Sequence, residues 1–132
     1  MAALLALVLA GCAGSQGVSA WATGNSFSSN NGQVLTDIQG VQNGIKLRQL
    51  KQLHTVCEAL SADSSTVYQT LPTPVQALTD AFSKAYSDLS QAGRVCYYAP
   101  SFSSPAMKKF EKEFQTAKSQ LSFAMSLLTT FQ

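Results

Sequence analysis

A helical period written three times constrains this chain more than any other feature. From Pro74 onward, apolar residues fall at Val75, Leu78, Phe82, Ala85, Leu89, Ala92 and Cys96, in alternating steps of three and four. That spacing draws one narrow stripe along an α-helix, and such a stripe is stable only when buried against other helices. Thr73 is the expected cap, Pro74 suits the first helical position, and Gln76 completes a Thr-x-x-Gln capping box. The last segment repeats the pattern. Ser104 caps, Pro105 opens the first turn, and Met107, Phe110, Phe114, Ala117, Leu121, Ala124, Leu128 and Phe131 form the seam, widened by Met125. Backward from Leu71, the residues Val67, Ser64, Leu60, Cys57, Leu53 and Leu50 give it once more, so the first long helix ends just before Pro72.

Upstream, Ile38, Val41 and Ile45 keep the spacing, but the phase slips by one between Ile45 and Leu50. Gly40 and Gly44 stand in that region, and glycine inside a helix costs about 1 kcal/mol. A kink, a frayed start or a close helix contact is expected there. The short connectors, Leu71 to Thr73 and Ala99 to Ser103, favour antiparallel neighbours. The expected fold is all-α: a small antiparallel three-helix bundle over residues 34–132, its first helix kinked or broken. A chain of 132 residues suits one domain. Its 45% hydrophobic and 12% charged residues suit a packed core rather than disorder.

Residues 2–10 are apolar over the length of a signal-peptide core, well short of the roughly 20 residues that a membrane span needs. The segment ends in Leu9-Ala10-Gly11-Cys12, which resembles the lipobox of bacterial lipoproteins. The resemblance implies a signal peptide over residues 1–11, cleavage by signal peptidase II before Cys12, and a diacylglyceryl thioether on Cys12. One departure is that no Lys or Arg precedes the apolar run, as if the start were set too far downstream or the leader trimmed. Residues 12–33 are rich in Ser, Gly and Asn and read as a flexible polar tether, interrupted by Trp21 and Phe27, which are expected to dock on the bundle or at lipid headgroups.

With Cys12 assigned to lipid, Cys57 and Cys96 remain as an even pair on two seams. In an oxidising envelope compartment they are expected to form a disulfide. The pairing carries a geometric tension, because Cys57 and Cys96 lie about 22 and 33 Å from the Pro72 turn at ~1.5 Å per helical residue. An extended connector at Leu71 to Pro74, a break at Ala62 to Ser65, or an early end of the second helix near Gly93 must absorb it.

Candidate chemistry is thin. His54 and Cys57 form His-x-x-Cys on one helix face, but zinc asks for three or four ligands and an oxidised cysteine offers no thiolate. No metal or cofactor is expected. The carboxylates Asp37, Glu58, Asp63, Asp80, Asp88, Glu111 and Glu113 are scattered, with no pair that announces acid and base roles. Nine Lys and Arg against seven Asp and Glu leave a net charge of +2. Lys108, Lys109 and Lys112 alternate with Glu111 and Glu113 as a solvated helix face, so no nucleic-acid partner is expected.

Beyond the lipobox, the mid-helix Cys57, the Leu71-Pro72-Thr73-Pro74 turn and Cys96-Tyr97 resemble small helical lipoproteins and secreted proteins of high-GC Gram-positive bacteria. That resemblance implies no activity. The expected role is a non-catalytic, lipid-anchored accessory of an envelope complex, on the extracytoplasmic side of the cell membrane or outer envelope, with a protein partner. The alternative is a module whose seam opens for lipid or another apolar ligand, suggested by Phe110, Phe114, Phe123, Met125 and Phe131.

Overall fold

The structure, a computed structural model, describes residues 17–132. Five helices follow one another: α1 over 17–24, α2 Phe27–Lys46, α3 Leu50–Tyr68, α4 Gln76–Tyr98 and α5 Pro105–Phe131. There is no strand among the described residues. The fold is all-helical as expected, but it is built from four long helices and a short one rather than three.

The expected first helix is in fact a hairpin. α2 stops at Lys46, Arg48 takes a left-handed backbone (φ 52°), and α3 starts at Leu50 in the opposite direction. Gln49 N–H donates to Gly44 C=O at 3.1 Å and Arg48 N–H to Ile45 C=O at 3.2 Å. This is the paired ending of a Schellman motif, with arginine where glycine usually stands. The phase slip between Ile45 and Leu50 is therefore a reversal of direction. The two glycines upstream allow the arms to close: a Cβ on Gly44 would lie 3.2 Å from the Leu53 backbone, and one on Gly40 would lie 2.8 Å from Val56 Cγ1.

The reading of residues 12–33 as a tether requires correction over the described part. Residues 17–24 are helical and α2 begins at Phe27, with Val18, Ala22, Phe27 and Asn31 buried. The Trp21 and Phe27 rings lie 4.6 Å apart, and Phe27 meets Phe82 edge-on at 5.1 Å. Trp21 Nε1–H and Asn25 Nδ2–H both donate to Thr70 C=O, at 3.2 and 3.3 Å. The polar residues counted as linker occupy the outer face of helices whose inner face is apolar. Phe27, Asn31, Val34, Ile38 and Val41 form a seam with the same alternating steps as the other three. The expected signal peptide (residues 1–11) and the lipidation site Cys12 lie outside the described residues.

Cys57 and Cys96 form the disulfide, with Cα atoms 5.9 Å apart. From Cys57 to the end of α3 is about 16 Å, whereas from the start of α4 to Cys96 is about 30 Å. The connector over 69–75 absorbs the ~14 Å difference by climbing beyond the end of α3. Neither α3 nor α4 is broken. The same climb delays α4: Val75 is extended (φ −123°, ψ 123°) and the helix opens at Gln76 without a side-chain cap. The expected Thr73–Gln76 box does not form. Thr73 Oγ1 instead accepts from Val75 N–H at 3.1 Å, and Gln76 Nε2 donates to Asp80 at 2.8 Å. At the other connection Ser104 does cap, accepting from Met107 N–H at 3.2 Å, with Pro105 in the first turn.

Backbones approach closely between consecutive helices. Among the described glycines the tightest site is Gly93, where an added Cβ would meet Cys57 O at 2.7 Å and Ser61 N at 2.9 Å. α2 and α5 meet instead through side chains, as where Asn31 Nδ2 lies 3.2 Å from Met125 Sδ. The bundle thus has two ends. One carries α1, the 69–75 connector and the end of α5; the other carries the α2–α3 and α4–α5 turns.

Candidate functional site

The two halves of the His-x-x-Cys pattern serve different contacts. Cys57 turns to Cys96, while His54 Nε2 lies 2.7 Å from Ala99 C=O, an N–H donation that ties α3 to the residue ending α4. No cluster of three or more His, Cys, Asp or Glu side chains suited to a metal occurs among the described residues.

The α5 aromatics are not gathered into one groove. Phe110 and Phe114 stack at 5.3 Å inside the core, Met125 and Phe131 are half-buried, and Phe123 points outward, 63% exposed. None of the described helices is long and apolar enough to cross a membrane.

The structure does bring together two carboxyls that are far apart in sequence. Asp37 on α2 is buried, accepts from Gln33 Nε2 at 3.2 Å, and meets Asp63 of α3. Asp37 Oδ2 is buried with no hydrogen-bond partner, and a neighbouring carboxyl disfavours the charged form. Burial, then the hydrogen bond with Asp63, raises the Asp37 pKa from 3.8 to about 7. The folded protein therefore keeps a proton that the unfolded chain releases near pH 4. The resulting stability is complete below that pH and is lost as pH rises through 7, with ~1.4 kcal/mol per pH unit setting a ceiling of roughly 4 kcal/mol. Urea unfolding at pH 5 and pH 8 is expected to show the wild type weaker at pH 8. Asp37→Asn should remove that slope and be the more stable protein at pH 8, by over ~1 kcal/mol. A variant with the same pH slope as wild type would show that Asp37 does not carry the proton. Neither carboxyl lines the main surface clefts.

Two of those clefts run end to end along the α3–α4 crossing, with volumes of about 620 and 490 Å³, and share Ser65 and Arg94. Their floor is small: Ser61, Ser65, Ser90 and Gly93, with the Ser90 hydroxyl 3.0 Å from Ser65 Oγ and donating to Ser61 C=O at 3.1 Å. Their rims carry the exposed tyrosines, Tyr68, Tyr97 and Tyr98. The cystine beneath and the Gly93 contact make the floor rigid. Tyrosine and arginine supply much of the binding energy of protein interfaces because a large, stiff, amphipathic group is held at little entropic cost. The period identified the helices here, but nothing in it indicated that Tyr68 and the Tyr97-Tyr98 pair share one groove.

The turn end of the bundle collects charge. Lys46, Arg48 and Lys51 stand at the α2–α3 turn, whereas the Cys57–Cys96 register sets Arg94 further back, beside Glu58 in the groove. The single ion pair among the described residues joins Lys109 to Glu113 at 3.8 Å. Leu47 at the tip is 60% exposed and Tyr98 is 77% exposed, while the Arg48 guanidinium sits 4.6 Å over the Phe102 ring. No protein-family model, curated protein or solved structure matches this chain.

Proposed function

We propose that this chain is a non-catalytic, lipid-anchored interaction module of the cell envelope, held at the extracytoplasmic face of a bilayer through Cys12 and engaging a protein partner through the α3–α4 groove. The observation that carries this reading is the convergence of Tyr68, Tyr97, Tyr98 and Arg94 on one rigid, small-floored groove. Five peptide units separate Cys12 from Gly17, so the lipid would lie at most ~18 Å from α1, whatever path the chain takes. Such a short link favours a partner in the same bilayer, because effective concentration falls when a tether lengthens.

The reading of the chain as an apolar-ligand carrier has less support, since Phe110 and Phe114 are consumed by the core. The decisive experiment has two parts. Metabolic labelling with palmitate is expected to mark the wild type and not Cys12→Ala. Gentle detergent purification should then yield a stoichiometric envelope protein with the wild type, lost on Tyr97→Ala/Tyr98→Ala without loss of the label. Labelling of Cys12→Ala would end the anchor assignment, and an unchanged partner with the tyrosine variant would end the groove assignment.

A further inference from the structure

We propose that the turn end of the bundle is a contact site for an anionic lipid surface. This inference rests on neither the Cys12 anchor nor the groove, because it follows from how the fold sorts charge. All sixteen charged side chains belong to the described residues. Three of the nine cations, Lys46, Arg48 and Lys51, stand at the α2–α3 turn, whereas the nearest carboxylate on either arm, Glu58, stands ~12 Å along α3 from it. A net charge of +2 therefore hides a cluster of three cations at one turn.

The apolar content of the tip selects among anionic partners. Leu47 projects from the tight α2–α3 turn between Lys46 and Arg48, 60% exposed. An apolar side chain ringed by cations suits an interface in which the cations meet headgroups and the aliphatic group enters the acyl boundary. A soluble polyanion would satisfy the cations and leave Leu47 nothing to bury in. A protein partner is disfavoured by area: the end of four helices spaced about 10 Å apart offers roughly 400 Å², half of what one side of a stable interface buries. Arg48 holds the left-handed position that glycine occupies most cheaply, and it keeps its cation at the tip over Phe102.

The test is co-sedimentation of the full chain with vesicles of phosphatidylcholine alone or with 30% phosphatidylglycerol, set beside capture on immobilised polyglutamate. Binding to the zwitterionic vesicles reports the apolar N-terminal residues, and the increment on anionic vesicles reports the tip. An increment of at least tenfold is expected, falling as salt rises. Lys46→Glu/Lys51→Glu should remove most of it, at about fivefold per cation lost. Both lysines are exposed and make no side-chain hydrogen bond or ion pair among the described residues, so the fold is unaffected, and circular dichroism verifies it. Leu47→Ser should weaken binding to anionic vesicles severalfold and leave polyglutamate capture unchanged. Equal binding to both vesicle types, or an increment insensitive to the charge reversal, overturns the proposal. A normal increment with Leu47→Ser, together with polyglutamate capture as strong as vesicle binding, makes the tip a polyanion site and overturns it too.

Discussion

Gly93→Ala is expected to lower stability by about 3 kcal/mol, although alanine is the better helix former by about 1 kcal/mol. The new methyl would meet Cys57 O at 2.7 Å and Ser61 N at 2.9 Å, both backbone atoms of α3. A flexible neighbour would step aside, but a helix backbone cannot. Relief requires α3 and α4 to separate, and the cystine holds their Cα atoms 5.9 Å apart at that level. Gly32→Ala provides the contrast of sign. It lies within α2 with nothing within 4 Å of the added Cβ, so it should gain up to about 1 kcal/mol. Urea midpoints of the two variants check both claims. If Gly93→Ala unfolds at the same midpoint as Gly32→Ala, the close approach of α3 and α4 is wrong.

Removing the staple should cost about as much again. The disulfide closes a loop with a sequence separation of 39, for which restriction of the unfolded chain contributes ~4 kcal/mol. That is a large share of the 5–15 kcal/mol typical of a folded domain. Cys57→Ala/Cys96→Ala is therefore expected to melt roughly 15 °C below the oxidised wild type. The reduced wild type should melt with the variant, since both lack the same link. A loss under ~1 kcal/mol would mean that the climb of the 69–75 connector and the Gly93 contact hold the α3–α4 register without the bond.

The helices from Leu50 onward were legible because each buries one stripe, and a stripe leaves its period in the sequence whatever lies opposite. Ser104 and Pro105 were legible for a similar reason, since a cap needs only its own first turn. Thr73 shows the limit of such local rules. A longer-range demand, the register set by Cys57 and Cys96, draws the connector out and moves the start of α4 past the residue best suited to cap it. Residues 17–33 failed differently. Their seam contains Asn31, whose Oδ1 accepts from the buried Tyr86 hydroxyl at 2.7 Å. A buried polar residue reads as surface until its partner, 55 positions away, is in place.

What the sequence by itself determined is the three long helices from Leu50 onward, their apolar faces and the pairing of the last two cysteines. These depend on intervals of three and four residues and on a count, both complete in one dimension. The tertiary structure alone decided that the first helix folds back at Arg48, that Asp37 and Asp63 come together, and that three tyrosines line one groove. It also decided that Lys46, Arg48 and Lys51 surround the exposed Leu47 at one turn. Each of these joins groups on different helices, and their distance depends on where the chain reverses and how far one helix slides along another. Two small features set that, a left-handed residue after Leu47 and a connector that climbs about 14 Å, and neither leaves a period to read.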